Sequence, residues 1–86
     1  MLKVIKFGAE WCGPCRTLEP VFDRIASNTP GVEFVKIDID KEPMMAQAMG
    51  VLAVPTLVFV KDGASVGTMV GLQKEAAIRN TIDKWK

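Results

Sequence analysis

The stretch that most limits how this chain can fold is its first twenty-seven residues. There a β-branched apolar run, Leu2 to Phe7, passes through Gly8-Ala9-Glu10 into Trp11-Cys12-Gly13-Pro14-Cys15. Beyond Pro14 the residues Leu18, Val21, Phe22, Ile25 and Ala26 recur at helical spacing, and Pro14 suits a first helical turn, where its missing N–H costs nothing. A strand, a loop and a helix from about Pro14 to Ser27 are therefore expected. Pro20 falls inside that helix, so a lost backbone hydrogen bond and a steric clash one turn back predict a kink near Arg16–Thr17.

The remainder alternates in the same way. Thr29-Pro30-Gly31 breaks the chain before a second strand, Val32 to Ile39, with Val32 and Phe34 on one face and Val35, Ile37 and Ile39 following. Asp40 is placed to cap a short helix carrying Met44, Met45, Ala46, Ala48 and Met49, with Gly50 as its stop; its methionines read as core filler. Val54-Pro55-Thr56 opens the run Leu57 to Val60, which Lys61-Asp62-Gly63-Ala64 turns back into Ser65 to Val70, an Asp-Gly hairpin. From Gln73 to Lys86 an amphipathic helix is expected, with Ala77, Ile78, Thr81, Ile82 and Trp85 on one face. The order βαβαββα implies an α/β fold in which helices cover both faces of a buried sheet.

The chain has 86 residues, 49% hydrophobic and 24% charged, with a net charge of +1. That is enough for one domain with a core, residues 1–86, and too little for a large cofactor-binding fold. Lys and Arg are interleaved with Asp and Glu, so neither nucleic acid nor an anionic membrane is an expected partner. Lysines interrupt the first apolar run, which is too short for a signal peptide or a membrane span, and a cytoplasmic location is expected. The absence of His and Tyr leaves carboxylate, amine, hydroxyl or thiol to carry any chemistry.

The thiols are the best candidates. Cys12 precedes a helix N-terminus, where unpaired N–H groups and the dipole lower a thiol pKa. Cys15 lies one turn later, within reach of a mixed disulfide formed at Cys12. Zinc wants four ligands, and two Cys without His supply only half a site. Two inert buried cysteines are the other plain reading, disfavoured by the loop-to-helix setting.

Ala9-Glu10-Trp11-Cys12-Gly13-Pro14-Cys15-Arg16, Pro20, Asp38-Ile39-Asp40, Val54-Pro55-Thr56, Lys61-Asp62-Gly63 and Val70-Gly71 together resemble the thioredoxin family in order and spacing. The match covers the whole chain but lacks the family's N-terminal strand and helix, as in shortened thioredoxins and glutaredoxins. The resemblance implies a four-stranded mixed sheet covered by three helices. Cys12 would be the exposed nucleophile, Cys15 the buried resolving thiol, and Val54-Pro55 a cis peptide facing them. Trp11, Gly13, Pro14, Val54, Pro55, Gly71 and Leu72 would dock substrate polypeptides. It further implies reduction of protein disulfides by a monomer with no bound cofactor, recycled by an NADPH-linked flavoenzyme like thioredoxin reductase, or by glutathione.

Two positions depart from the family. Lys6 stands where a buried Asp is usual, and Gly8 where an aromatic is usual. If Lys6 and Lys36 both point beneath the motif, like charges should lower each other's pKa and favour a nearby thiolate. The alternative is that Lys6 snorkels to an open sheet edge and does nothing. A glutathione-dependent glutaredoxin-like enzyme is one competing function, although Val70-Gly71-Leu72-Gln73-Lys74 lacks the segment expected of it. A protein-binding module with incidental cysteines is the other.

Overall fold

The computed structural model describes residues Met1 to Lys86. Alternation along β1 (Leu2–Gly8) decides the layers, because this strand is buried on both faces. It pairs parallel with β2 (Glu33–Asp38) on one side and antiparallel with β3 (Thr56–Lys61) on the other, and β4 (Ala64–Val70) completes the order β2-β1-β3-β4. Leu2 and Val4 join Leu57 and Phe59 beneath α1 (Gly13–Ser27) and α3 (Glu75–Trp85), which contribute Leu18, Phe22, Ile25, Ile78 and Ile82. Phe22 meets Phe34 edge to face at 5.5 Å, a favoured aromatic geometry. Ile5, Phe7 and Val58 face the other way, onto Ala46 of α2 (Pro43–Ala48). Both faces are thus covered, as the element order predicts.

Local chemistry explains the ends of these elements. Asp62 and Gly63 both take positive φ, 52° and 85°, which is the two-residue hairpin turn whose twist suits antiparallel strands. The last carbonyls of α1 are occupied: Asn28 Nδ2 donates to the Arg24 oxygen at 2.9 Å and Thr29 Oγ1 to the Ile25 oxygen at 2.7 Å. Pro20 lies within α1, which runs unbroken from Gly13 to Ser27.

Two expectations about α2 are corrected. Asp40 does not cap it; Glu42 occupies the N-cap, without a side-chain bond. Instead its carboxylate accepts from Trp11 Nε1, and its own N–H donates to Asp38 Oδ1. The methionines are also not uniformly core: Met44 is 80% exposed and Met45 is exposed, while Met49 packs against the Ile5–Phe7 cluster. A helix of six residues has room to bury only a narrow stripe, and Ala46 fills it.

Truncating Phe59, which is fully buried, should therefore cost about 3–5 kcal/mol in urea unfolding. Met44→Ala should change stability by less than about 0.5 kcal/mol, the range usual for exposed positions.

Candidate active site

Cys12 is the N-cap residue of α1, with extended backbone (φ −91°, ψ 111°), and Cys15 lies in the first helical turn. The two are joined as a disulfide, with Cα atoms 5.3 Å apart. The Cys15 N–H donates to Cys12 Sγ at 3.2 Å, so one unpaired helix donor already points at the sulfur. Pro14 fills an early helical position and leaves one fewer N–H there. The expectation of an exposed Cys12 is corrected: Cys12 is 5% and Cys15 3% exposed, in a cluster with Ala9, Ile39 and Val54. In the disulfide, Cys12 is tucked against the helix, not presented to solvent.

The residues expected to dock substrate surround this pair in part. Trp11 is 66% exposed and its Nε1 donates to Asp40 Oδ2 at 2.8 Å, which pins the indole. Gly13, Pro14 and Leu72 are exposed, Val54 and Gly71 half-buried, and Pro55 fully buried. The Val54–Pro55 peptide is cis, and the Pro55 carbonyl accepts from the Gly71 N–H at 2.8 Å, tying the two loops together. Sequence reasoning missed Asp40 as the partner of Trp11. It also passed over Leu52, whose nearly complete exposure, 99%, is unusual for leucine.

Behind the disulfide lies a cavity of about 680 Å³, lined by Cys15, Gly8, Lys6, Glu19, Lys36 and neighbouring residues. Register explains the grouping. Lys6 pairs with Lys36 and Gly8 with Asp38 across β1 and β2, so both lysines stand on the sheet face that α1 covers. Cys15 and Glu19 are four apart on α1 and so share a helix face. A Cβ added at Gly8 would lie 3.4 Å from Cys15 Sγ, so the strand backbone passes close to the sulfur.

Glu19 ties this group together. One of its carboxylate oxygens accepts from Lys6 Nζ, the other from Lys36 Nζ at 2.6 Å, and Lys36 also reaches Asp23 at 2.7 Å. Lys6, only 4% exposed, has its ammonium 5.7 Å from the Phe22 ring centre. It therefore does not snorkel to an edge. The expected depression of Lys36 is also corrected: hydrogen bonds first to Asp23 and then to Glu19 raise its pKa above the ordinary lysine value. The bridging carboxylate outweighs the repulsion between amines. Hydrogen bonds from Lys36, then from Lys6, hold the Glu19 carboxyl below its ordinary value. Nothing in the sequence pattern pairs Glu19 with residues 6 and 36; only the α1–β1–β2 packing does.

A redox-active disulfide at a helix N-terminus, beside a cis-proline loop on a sheet of order β2-β1-β3-β4, defines a thiol-disulfide oxidoreductase. The thioredoxin family model matches residues 1–84. An H-type thioredoxin from Oryza sativa is 44% identical over 81 residues, 94% of this chain and 66% of that protein. A thioredoxin from Chlamydia muridarum is 42% identical over 83 residues, 96% of this chain and 81% of that one. Among solved structures, Fasciola hepatica thioredoxin superposes with a TM-score of 0.94 at 42% identity, covering 99% of this chain and 81% of that one. A mutant thioredoxin from Halobacterium salinarum gives 0.93 at 43%, covering 98% and 74%. This chain belongs to the thioredoxin family. The named relatives support protein disulfide reduction as its activity, and a glutaredoxin-like reading is not favoured.

The lowered Glu19 carboxyl carries a pH signature. Its interactions stabilise the fold fully above its unfolded pKa, near the ordinary glutamate value of 4.5, and that contribution is lost as pH falls through the lowered folded value. Carbon-detected NMR titration should place the Glu19 midpoint below 4.5. Lys36→Met should move it back upward.

Proposed function

We propose that residues 1–86 act as one thioredoxin domain that reduces disulfides in polypeptide substrates, with Cys12 as nucleophile and Cys15 as resolving thiol. The observation that carries this assignment is the position of the pair at the start of α1: Cys12 is the cap, and the helix N–H groups favour its thiolate. In the dithiol form the Cys12 thiolate attacks a substrate disulfide, forming a Cys12–substrate bond and releasing one substrate thiolate, which takes a proton from solvent. Cys15 then loses its proton and attacks Cys12 Sγ. The Cys12–Cys15 bond forms, the second substrate thiolate leaves, and two electrons have passed to the substrate.

Docking falls to Trp11, Gly13, Pro14, Val54, Pro55, Gly71 and Leu72, the exposed members supplying apolar contact and the Val54–Pro55 loop its backbone. The family points to an NADPH-linked flavoenzyme like thioredoxin reductase as the source of electrons, and to a monomer working in the cytoplasm. No helix is long and apolar enough to cross a membrane.

Cys12→Ser should abolish reduction of a polypeptide disulfide, whereas Cys15→Ser should accumulate a Cys12–substrate mixed disulfide visible by mass spectrometry. Retention of biological activity by the double serine variant would instead establish a binding module. A redox titration followed by Trp11 fluorescence in a Trp85→Phe background should give a two-electron transition near the value familiar for thioredoxins, about −270 mV; one near about −200 to −230 mV would indicate glutathione coupling.

A further inference from the structure

The cavity behind the disulfide holds charge that the exchange chemistry above does not use. Cys15 is its sulfur-bearing wall, and the groups facing it come from every element packed there: Lys6 from β1, Glu10 from the following loop, Arg16 and Glu19 from α1, Lys36 and Asp38 from β2. They are not equivalent. The Glu10, Arg16 and Lys36 side chains reach outward, Lys36 toward Asp23 and Arg16 toward the Glu10 carbonyl at 3.2 Å. Lys6 is the buried one, and its ammonium is anchored to Glu19.

Geometry sets this pair next to the resolving thiol. Lys6 and Gly8 lie two apart on one face of β1, about 6.6 Å along the strand, and a Cβ placed on Gly8 would lie 3.4 Å from Cys15 Sγ. Glu19 lies one turn beyond Cys15 on α1, about 6 Å further along the helix. The strand row Gly8–Lys6 therefore runs beneath the helix row Cys15–Glu19, and the ion pair closes the far end. Since Glu19 is already shared between two ammonium groups, its carboxylate is a poor proton acceptor.

We propose that Lys6 and Glu19 are positioning residues of opposite sign that together set the proton affinity of the Cys15 thiol, the cation favouring the thiolate and the carboxylate opposing it. The inference rests on Cys15 being the resolving thiol. In this arrangement the Cys15 proton leaves to solvent through the cavity, on the side away from the docked substrate. The thiolate then attacks Cys12 Sγ as written above.

The test uses the reduced protein with one equivalent of dithiodipyridine. Attack by Cys12 releases a first pyridinethione, and resolution by Cys15 releases the second, so the pH profile of the second phase reports the Cys15 thiol while the first serves as internal reference. Lys6→Met should move the midpoint of the second phase up by about one pH unit, slowing it about tenfold at neutral pH. Lys6→Arg, which keeps the charge, should restore it. Glu19→Gln should move the midpoint down. Loss of packing cannot produce shifts of opposite sign, and urea midpoints confirm that each variant is folded. Shifts in the same direction, or none, would overturn the proposal; a lowered plateau in Glu19→Gln would make Glu19 the base instead. If the second phase persisted in Cys15→Ser, the resolving assignment itself would fail, separately from the role of the pair.

Discussion

Strand β1 must satisfy two strands and two layers of helix at once, and the rest of the molecule is arranged around that requirement. Its backbone is paired on both edges, to β2 and β3, and its side chains are buried on both faces. Leu2 and Val4 belong to the larger core, Ile5 and Phe7 to the smaller. A strand fixed on four sides delivers its C-terminal loop to one place. Cys12 therefore begins α1 at the end of the sheet, where the helix dipole and the Cys15 N–H are aimed at its sulfur.

The same constraint makes Lys6 expensive. Alternation puts it on the face with Leu2 and Val4, beneath α1, where an unpaired ammonium would lose its hydration without return. Glu19 on the covering helix offsets that cost, and it does so one helical turn from Cys15. Because Lys36 is the register partner of Lys6 on β2, a single carboxylate meets two amines, with Asp23 taking the outer one. No buried side-chain nitrogen or oxygen is left without a partner. The charged cluster and the thiols thus occupy one helix–sheet interface.

The front of the site is built differently. Trp11 lies open to solvent but is held by Asp40, and the cis Val54–Pro55 loop is braced by the Gly71 N–H. These contacts fix the rim around a buried disulfide.

Much of this was legible in the residues themselves. Helical spacing from Leu18 to Ala26, strand-like runs bounded by Gly, Pro and Asp-Gly, and Cys-Gly-Pro-Cys at a strand-to-helix junction specified the element order and the reactive pair, because period, turn chemistry and helix-end electrostatics are local properties of the chain. The burial of Cys12, the exposure of Met44, the Trp11–Asp40 bond and the Lys6–Glu19–Lys36 bridge were not legible. Each depends on which residues of distant segments meet. The sequence placed Lys6 on a buried strand, but only the packing of α1 across β1 and β2 decided that its partner would be Glu19 and its neighbour the sulfur of Cys15, since an ion pair formed across thirteen residues leaves no periodic trace in the chain.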